Sequence, residues 1–185
     1  MPRSSDKRER LLRSADQLIL QQGFKQTTLA DIAKDSEVPL GNVYYYFKTK
    51  EAIGQSVIED RLEHLRQLLH NCTAEATPKA RLLAFLDYPI RIRDSLAEHG
   101  CPLGTLAYEL SRADSFLRDS SRALIEEVLN WSTQQFEQMD QPDAHALALQ
   151  FVSQLQGMSL IANTLNDDQV ITDMVEQTRH WLNTL

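Results

Sequence analysis

"TTLADIAKDSEVPLGNVYYYFKTKEAI", residues 27–53, holds three adjacent tyrosines within a stretch of helical character. Successive residues of a helix point about 100° apart, so Tyr44, Tyr45 and Tyr46 cannot all face one core. Val43 and Phe47 are four residues apart and share a face, which makes them the natural inward pair. The opposite face is therefore small, amide-bearing and aromatic, and it meets either water or a partner.

Two further helices precede the tyrosine helix. An apolar stripe at helical spacing predicts a first helix from about Asp6 to Gln22, and Gly23 is placed as its C-terminal stop. Thr28 and Asp31 have the spacing of a capping box, in which two side chains satisfy free backbone N–H groups, so a second helix begins there. The three short helices together predict a helix-turn-helix unit.

The rest of the chain also shows helical patterns separated by short breaks, with no alternating strand pattern. A long helix begins at Lys50, one helix is expected from Pro78 to about Glu98, and Gly100 and Pro102 mark a break before the next. We therefore expect an all-α protein of about nine helices. Its predicted domains are the helix-turn-helix head, residues 1–49, and a larger helical body, residues 50–185.

Charge is distributed unevenly between these two parts. Residues 1–50 carry nine Lys and Arg against six Asp and Glu (+3), and residues 51–185 carry ten against twenty (−10), which gives the −7 of the chain. A basic head on an acidic body fits a head that touches phosphates. With no apolar run of about 20 residues and no signal-peptide core, we expect a cytoplasmic protein without a membrane segment. The two cysteines predict free thiols.

The sequence does not indicate a catalytic or metal site. It lacks H-E-x-x-H, G-x-S-x-G, G-x-G-x-x-G and the phosphate-binding loop pattern. The nearest candidate for nucleophilic catalysis is His99 with Cys101, and two neighbours on a loop are weak support for a catalytic pair. We therefore expect no enzyme, no cofactor and no metal. A helical adaptor that does not bind DNA is an alternative, but it leaves the outward Asn42 and Tyr45 unexplained.

The quoted stretch resembles the DNA-binding segment of the TetR/AcrR family of bacterial repressors. The family pattern is T-x-x-x-I-A-x-x-x-x-V-x-x-G-x-x-Y-x-x-F-x-x-K, and the resemblance covers roughly residues 8–60. It implies a homodimer that binds a palindromic operator in double-stranded DNA and releases it when a small-molecule effector enters the body. The matching residues are Thr28, Ile32, Ala33, Val38, Gly41, Tyr44, Phe47 and Lys50.

The resemblance assigns roles to the outward residues of the head. Tyr44 and Lys50 correspond to phosphate contacts, and Thr28 offers its hydroxyl to another phosphate. Asn42 can read adenine, and its apolar neighbours can pack on thymine methyl groups. The family commonly has Gly where this chain has Glu37, so a non-glycine residue is expected at a positive φ. The predicted DNA-binding residues are Thr28, Leu40, Gly41, Asn42, Tyr44, Tyr45, Tyr46, Lys48 and Lys50.

The body, residues 50–185, is expected to bind the effector and to form the dimer. Small residues in the next-to-last helix allow close approach, which favours a four-helix bundle with the two-fold mate. For both sites the alternative is ordinary core packing within one chain. The predicted effector pocket consists of Phe85, Tyr88, Cys101, Leu103, Leu106, Tyr108, Phe116 and Trp131. The predicted dimer interface consists of Leu147, Phe151, Leu155, Gly157, Met158, Met174, Thr178 and Trp181.

Cys101 is the candidate reactive thiol. It precedes Pro102, and Pro is favoured at the first helical position, so Cys101 is expected at an N-cap, where the helix dipole stabilises an anion. Such a thiol can react readily with oxidants or electrophiles. An electrophile- or redox-sensing repressor is therefore the alternative to one released by a non-covalent ligand, and a buried structural role is the alternative for Cys101. The segment resembles the G-C-x-x-G/N-x-A-x-E stretch of a TetR/AcrR branch that includes electrophile sensors, with Gly100, Cys101, Gly104, Ala107 and Glu109 matching.

Overall fold

A computed structural model describes residues 4–112 and 116–185, and the secondary structure in these ranges is helical. The all-α prediction is confirmed. The described residues form eleven helices; α5, α6 and α7 are separated by single residues, and counting them as one kinked helix gives the nine elements expected. The helices are α1 Ser4–Gln22, α2 Leu29–Asp35, α3 Leu40–Tyr46, α4 Lys50–Cys72, α5 Pro78–Phe85, α6 Asp87–Arg91, α7 Arg93–His99, α8 Pro102–Ser111, α9 Leu117–Gln138, α10 Ala144–Leu165 and α11 Gln169–Thr184.

The break between α5 and α6 is explained by Pro89. Proline lacks an N–H, and its ring clashes with the carbonyl four residues earlier, which here belongs to Phe85, the last residue of α5. At the second break Ile92 leaves the helical region with φ −113° and ψ 18°. The prediction of one continuous helix across this segment is therefore wrong at two points. The predicted break before α8 is confirmed, since Gly100 has a φ of 78°.

The first compact unit consists of residues 4–62 and, apart from 113–115, residues 105–124. It contains the described part of the predicted domain 1–49 and extends beyond it. Within this unit the buried Arg61 donates a hydrogen bond from Nε to the Asp16 carboxylate, at 2.6 Å. Its apolar interior includes Leu11, Ala15, Ile19, Ile32, Val43, Phe47, Ile53, Val57, Ile58, Leu110 and Leu117.

The second compact unit consists of residues 63–104 and 125–185. In it α10 packs against α7 and α11, and α11 also contacts α5 and α6. Aromatic side chains fill the centre, where the rings of Phe85 and Phe151 lie 6.1 Å apart and those of Phe136 and Trp181 lie 6.0 Å apart. These contacts form the core of the predicted body.

Two features are absent from residues 4–112 and 116–185. No helix in these ranges is long and apolar enough to cross a membrane. The same residues contain no cluster of three or more His, Cys, Asp or Glu side chains suited to a metal ion.

Candidate nucleic-acid interface and body cavity

Helix α2 begins with the predicted capping box. The Thr28 hydroxyl accepts a hydrogen bond from the Asp31 N–H (3.1 Å) and donates one to the Asp31 carboxylate (2.7 Å), which also accepts from the Thr28 N–H (3.0 Å). The hydrogen bond from the Thr28 hydroxyl lowers the pKa of Asp31. The hydroxyl expected to reach a phosphate is thus already used inside the head. A phosphate at this position would have to replace the Asp31 carboxylate.

The turn between α2 and α3 contains Glu37 at a φ of 53°, which confirms the expected positive φ at a non-glycine residue. The turn closes through a hydrogen bond from the Val38 N–H to the Ala33 carbonyl, at 3.0 Å, and Val38 is buried. The Glu37 carboxylate is well exposed and lies 3.5 Å from Arg10 Nη2. The arginine partly offsets a negative charge on the side of the head that carries α3.

Helix α3 separates its two faces as predicted. Val43 and Phe47 are buried, which confirms the inward pair, whereas Tyr44 is 48% exposed and Tyr45 is 73% exposed. The rings of Tyr45 and Tyr46 meet edge to face, with centroids 5.0 Å apart. The outward face therefore presents aromatic rings and hydroxyls.

Three smaller residues complete this face. Leu40 and Gly41 are exposed, and Asn42 is half-buried. A Cβ built on Gly41 would have no neighbour within 4 Å, so the fold itself does not require glycine there. A helix with a small, amide-bearing face is suited to the major groove of DNA, where side chains read base edges.

The two lysines after α3 are placed differently. Lys48 is exposed and Lys50 is half-buried. The Lys50 ammonium donates a hydrogen bond to the Lys25 carbonyl (2.9 Å) and lies 4.6 Å from the centroid of the Phe24 ring. An ammonium has three donors, so this contact leaves others for a phosphate.

A cavity of about 50 Å³ lies inside the second unit. Its wall is mainly apolar, and polar side-chain atoms come from Tyr88, Cys101, Gln156 and Ser159. Four of the eight predicted pocket residues line it. These are Phe85, Tyr88, Cys101 and Leu103, and sequence reasoning missed the rest of the wall, which consists of Leu65, Pro89, Ile92, Leu96, Pro102, Ile125, Val128, Val152, Leu155, Gln156 and Ser159.

The other four predicted pocket residues lie elsewhere. Leu106 is buried in the first unit, and Tyr108 and Phe116 are exposed. Trp131 packs against Phe85, with ring centroids 5.5 Å apart, and borders a separate groove on the second unit. A list of aromatic and leucine residues does not distinguish a pocket wall from a core or a surface, because all three positions tolerate the same side chains.

Cys101 occupies the predicted N-cap of α8. Its sulfur accepts a hydrogen bond from the N–H of Gly104, the third residue of the helix, at 3.4 Å, and another from Gln156 Nε2, at 3.6 Å. A Cβ on Gly104 would lie only 2.0 Å from Gln156 Oε1. Glycine at this position is therefore what allows the Gln156 amide to approach the sulfur.

Comparison with protein families matches both parts of the chain. Residues 11–57 match the model of bacterial regulatory proteins of the tetR family. Residues 78–177, more than half of the chain, match the C-terminal domain of LmrA/YxaF-like transcriptional regulators. The chain belongs to the TetR family of bacterial regulatory proteins. This confirms the sequence resemblance, and a family of regulators agrees with the expectation that the chain is not an enzyme.

Relatives of known name support the same assignment. The TetR-family chain is 32% identical to the HTH-type transcriptional repressor NemR of Escherichia coli K12 over 125 residues. This alignment covers 65% of this chain and 60% of NemR. It is 34% identical over 119 residues to the HTH-type transcriptional regulator LmrA of Bacillus subtilis, which is 62% of this chain and 63% of LmrA. The chain thus spans less than two thirds of the length of these relatives.

Solved structures share the fold over nearly the whole chain. The reduced form of E. coli NemR superposes with a TM-score of 0.80 at 23% identity, covering 94% of this chain and 96% of NemR. A TetR-family regulator from Agrobacterium tumefaciens superposes with a TM-score of 0.85 at 19% identity, covering 95% and 97%. These similarities establish the TetR fold of the described helices.

The predicted dimer residues are mostly turned toward the chain's own core. Phe151, Met158 and Thr178 are fully buried and Leu155 is nearly so, so a partner cannot contact them in this conformation. Leu147, Met174 and Trp181 are partly buried against the same core. Gly157 has open space beside it, since a Cβ there would meet nothing within 4 Å.

The exposed apolar residues of α10 were missed in the sequence. At about 100° per residue they project within a sector of about 160° centred on Gly157. The helix has 22 residues and contains no Asp, Glu, Lys or Arg, although this face is open to solvent. These residues, called the α10 stripe below, are Leu149, Gly157, Leu160, Ile161 and Leu165.

Proposed function

We propose that this chain is a TetR-type transcriptional repressor that binds a palindromic operator as a homodimer and releases it when a small molecule occupies the body cavity. The outward face of α3 carries the proposal. On this face Gly41, Tyr44 and Tyr45 are exposed and Asn42 is half-buried, whereas the inward pair is buried. A face of this composition suits a helix that reads base edges in the major groove.

The proposed contacts divide into two kinds. Asn42 reads a base edge through its amide, with Leu40 and Tyr45 packing on neighbouring bases. Tyr44, Lys48 and Lys50 contact phosphates, which hold the head in register without reading sequence. Base contacts of this kind set operator preference, and phosphate contacts set the salt dependence of binding.

The experiment that tests this proposal is selection of bound duplexes from a random pool. We expect two inverted half-sites whose spacing places one head in each of two major grooves, about one helical turn or a multiple of it apart. Selection of a single motif without an inverted copy would contradict the binding of a palindromic operator by a dimer. Recovery of no preferred sequence would contradict the base-reading role of α3.

We further propose that the occupant of the α10 stripe is a second copy of this chain. A face of exposed aliphatic residues around a glycine, with the uncharged Gln150, Ser153 and Thr164 between them, suits the close approach of an identical helix, and an isologous contact buries the same stripe on both copies. Two joined heads also gain affinity, because binding of the second half-site becomes intramolecular. The proposed dimer interface therefore consists of the α10 stripe instead of the buried residues, such as Phe151 and Met158, that the sequence suggested.

The effector site we propose is the cavity of the second unit. The empty space of about 50 Å³ accommodates only a few water-sized groups. A small, mainly apolar molecule fits such a wall, with Gln156 and Ser159 available for one or two hydrogen bonds. To release DNA, the molecule must bind the released conformation more tightly than the DNA-bound one, since equal affinity shifts no population.

A second candidate trigger is covalent modification of Cys101. Its sulfur borders the cavity and accepts hydrogen bonds from a helix N-terminal N–H and from Gln156. Among the relatives, NemR has a structure described as its reduced form. An electrophile small enough to enter the cavity would meet this sulfur.

Alkylation separates the two triggers. Iodoacetamide forms a sulfur–carbon bond and releases iodide, and Cys101 should react before Cys72, because burial raises the pKa of the Cys72 thiol. Labelling should release operator DNA, and Cys101→Ser should bind DNA but ignore the reagent. Equal labelling of both thiols, or unchanged DNA affinity after Cys101 is labelled, would leave the non-covalent ligand as the trigger.

A further inference from the structure

Glu109, on α8, holds the turn that joins α1 to α2. Its two carboxylate oxygens accept hydrogen bonds from consecutive backbone N–H groups, that of Phe24 at 2.8 Å and that of Lys25 at 2.6 Å. The turn begins at Gly23, whose φ is 84°, and a Cβ there would lie 3.1 Å from a Glu109 oxygen. Glycine thus provides both the backbone conformation and the room that the carboxylate needs.

The same turn supports the side chain of Lys50. The lysine ammonium donates to the Lys25 carbonyl and lies over the Phe24 ring. The Phe24 ring also packs closely against Gly54 on α4, where a Cβ would lie 2.5 Å from a ring carbon. Burial lowers the pKa of Lys50, and the Glu109 charge acts in the opposite direction by favouring the ammonium.

The contacts therefore form a chain from α8 to a group suited to binding phosphate. Glu109 fixes the backbone of the turn, the turn supplies the carbonyl and the ring that hold the ammonium, and Lys50 is a phosphate contact in the proposed function. We propose that Glu109 is a positioning residue for DNA binding, because its carboxylate orders the turn that places the Lys50 ammonium for a phosphate. This inference rests on the proposed function.

The charge of Glu109 is essential to this role. Two N–H donors face the side chain, and an ionised carboxylate offers an acceptor to each of them. A glutamine of the same shape would turn an NH₂ group toward one of these donors and would carry no charge to favour the Lys50 ammonium. Glu109→Gln therefore changes the chemistry of the contact with little change in its size.

The test measures operator affinity of the full chain as a function of salt concentration. Each phosphate contact contributes about 0.9 to the slope of log affinity against log salt, so losing the Lys50 contact makes the slope shallower by about one for each head. We expect this change for Glu109→Gln and for Lys50→Ala, with weaker binding to operator and random duplexes alike, by about tenfold at moderate salt. In the double variant with both Lys50→Ala and Glu109→Gln, operator affinity should be less than about twofold lower than in Lys50→Ala alone.

Glu98→Gln is the matched control, since it removes one carboxylate charge at an exposed position of the second unit. It should leave the slope unchanged. Where the folded fraction of a variant is the same at every salt concentration, partial unfolding lowers apparent affinity by a constant factor, and the slope then reports the contact. As a second measurement, exchange of the Phe24 and Lys25 amide hydrogens should be faster in Glu109→Gln.

Weaker binding with an unchanged slope would make Glu109 a purely structural residue and would overturn the proposal. Wild-type affinity and slope in Glu109→Gln would overturn it as well. If the unmodified chain binds neither selected nor random duplexes, the proposed function itself fails. That failure would be seen with the unmodified chain, before any variant is measured, so it is distinguishable from a failure of the Glu109 proposal.

Discussion

The outward face of α3 and the α10 stripe are two exposed surfaces that differ in chemistry but share one feature, a helical glycine. The α3 face is aromatic and amide-bearing and is followed by lysines, whereas the α10 stripe is aliphatic and has no charged residue. Each contains a glycine, Gly41 or Gly157, whose missing side chain leaves space that the chain itself does not fill. A helix-interior glycine destabilises a helix by about 0.5–1 kcal/mol relative to alanine.

Gly54 and Gly104 show what a glycine required by the fold looks like. A Cβ at Gly54 would collide with the Phe24 ring, and one at Gly104 would collide with the Gln156 amide. Nothing comparable lies beside Gly41 or Gly157. This contrast agrees with the proposed function, in which operator DNA meets the outward face of α3 and a second copy of the chain meets the α10 stripe.

The largest expected effect comes from placing a charge in the α10 stripe. Leu160 is 67% exposed, so Leu160→Asp should leave the isolated fold intact but bury an unpaired carboxylate twice in a symmetric interface, at about 3–5 kcal/mol each. Sedimentation should then show a monomer, and operator affinity should fall by more than about a hundredfold. Phe116→Asp is the matched control, since Phe116 is 76% exposed and lies outside the stripe. A dimeric Leu160→Asp protein would place the interface elsewhere.

An intermediate effect is expected on the α3 side. Asn42→Ala should weaken operator binding by about 1–3 kcal/mol and relax preference at one base pair, because a base contact is lost. Lys48→Ala should instead weaken binding to all sequences and reduce the salt slope. Titration of both variants against operator and random duplexes separates these outcomes. Equal losses on both duplexes for Asn42→Ala would remove Asn42 from the base-reading residues.

Features set by neighbouring residues were predictable from the sequence. The inward pair Val43 and Phe47 follows from helical spacing and the capping box of Thr28 from a three-residue pattern, whereas the positive φ of Glu37 was expected from the glycine that the family commonly has there. Each depends on geometry within about one helical turn. The N-cap position of Cys101 followed in the same way, from the proline after it.

Features set by distant contacts were not predictable. Helix α10 has apolar residues around most of its circumference, so its pattern does not show that Phe151 and Met158 face the chain's own core while Leu160 faces outward. Glu109 meets Phe24 across 85 positions of sequence, and nothing local marks it as a partner of the head. Pocket and interface residues belong to this class because tertiary packing selects among chemically similar side chains.

The smallest expected effects come from adding a methyl group at the glycine of each surface. Gly41→Ala and Gly157→Ala should each stabilise the isolated fold by about 0.5–1 kcal/mol, since alanine reduces the freedom of the unfolded chain and meets no neighbour. Thermal or denaturant unfolding measures this gain. Gly54→Ala is the matched control and should be destabilising, because its Cβ meets the Phe24 ring.

The same two variants should lose function in different ways despite their greater stability. Gly41→Ala should weaken operator binding while the dimer persists, because the added methyl group holds the α3 backbone away from the groove floor. Gly157→Ala should weaken dimerisation at low protein concentration, because two helices can no longer approach as closely. Sedimentation and operator titration on the same samples distinguish the two losses. A stabilised Gly41→Ala protein with wild-type operator affinity would show that α3 reads DNA through its side chains alone, and a stabilised Gly157→Ala dimer would move the two-fold axis away from this glycine.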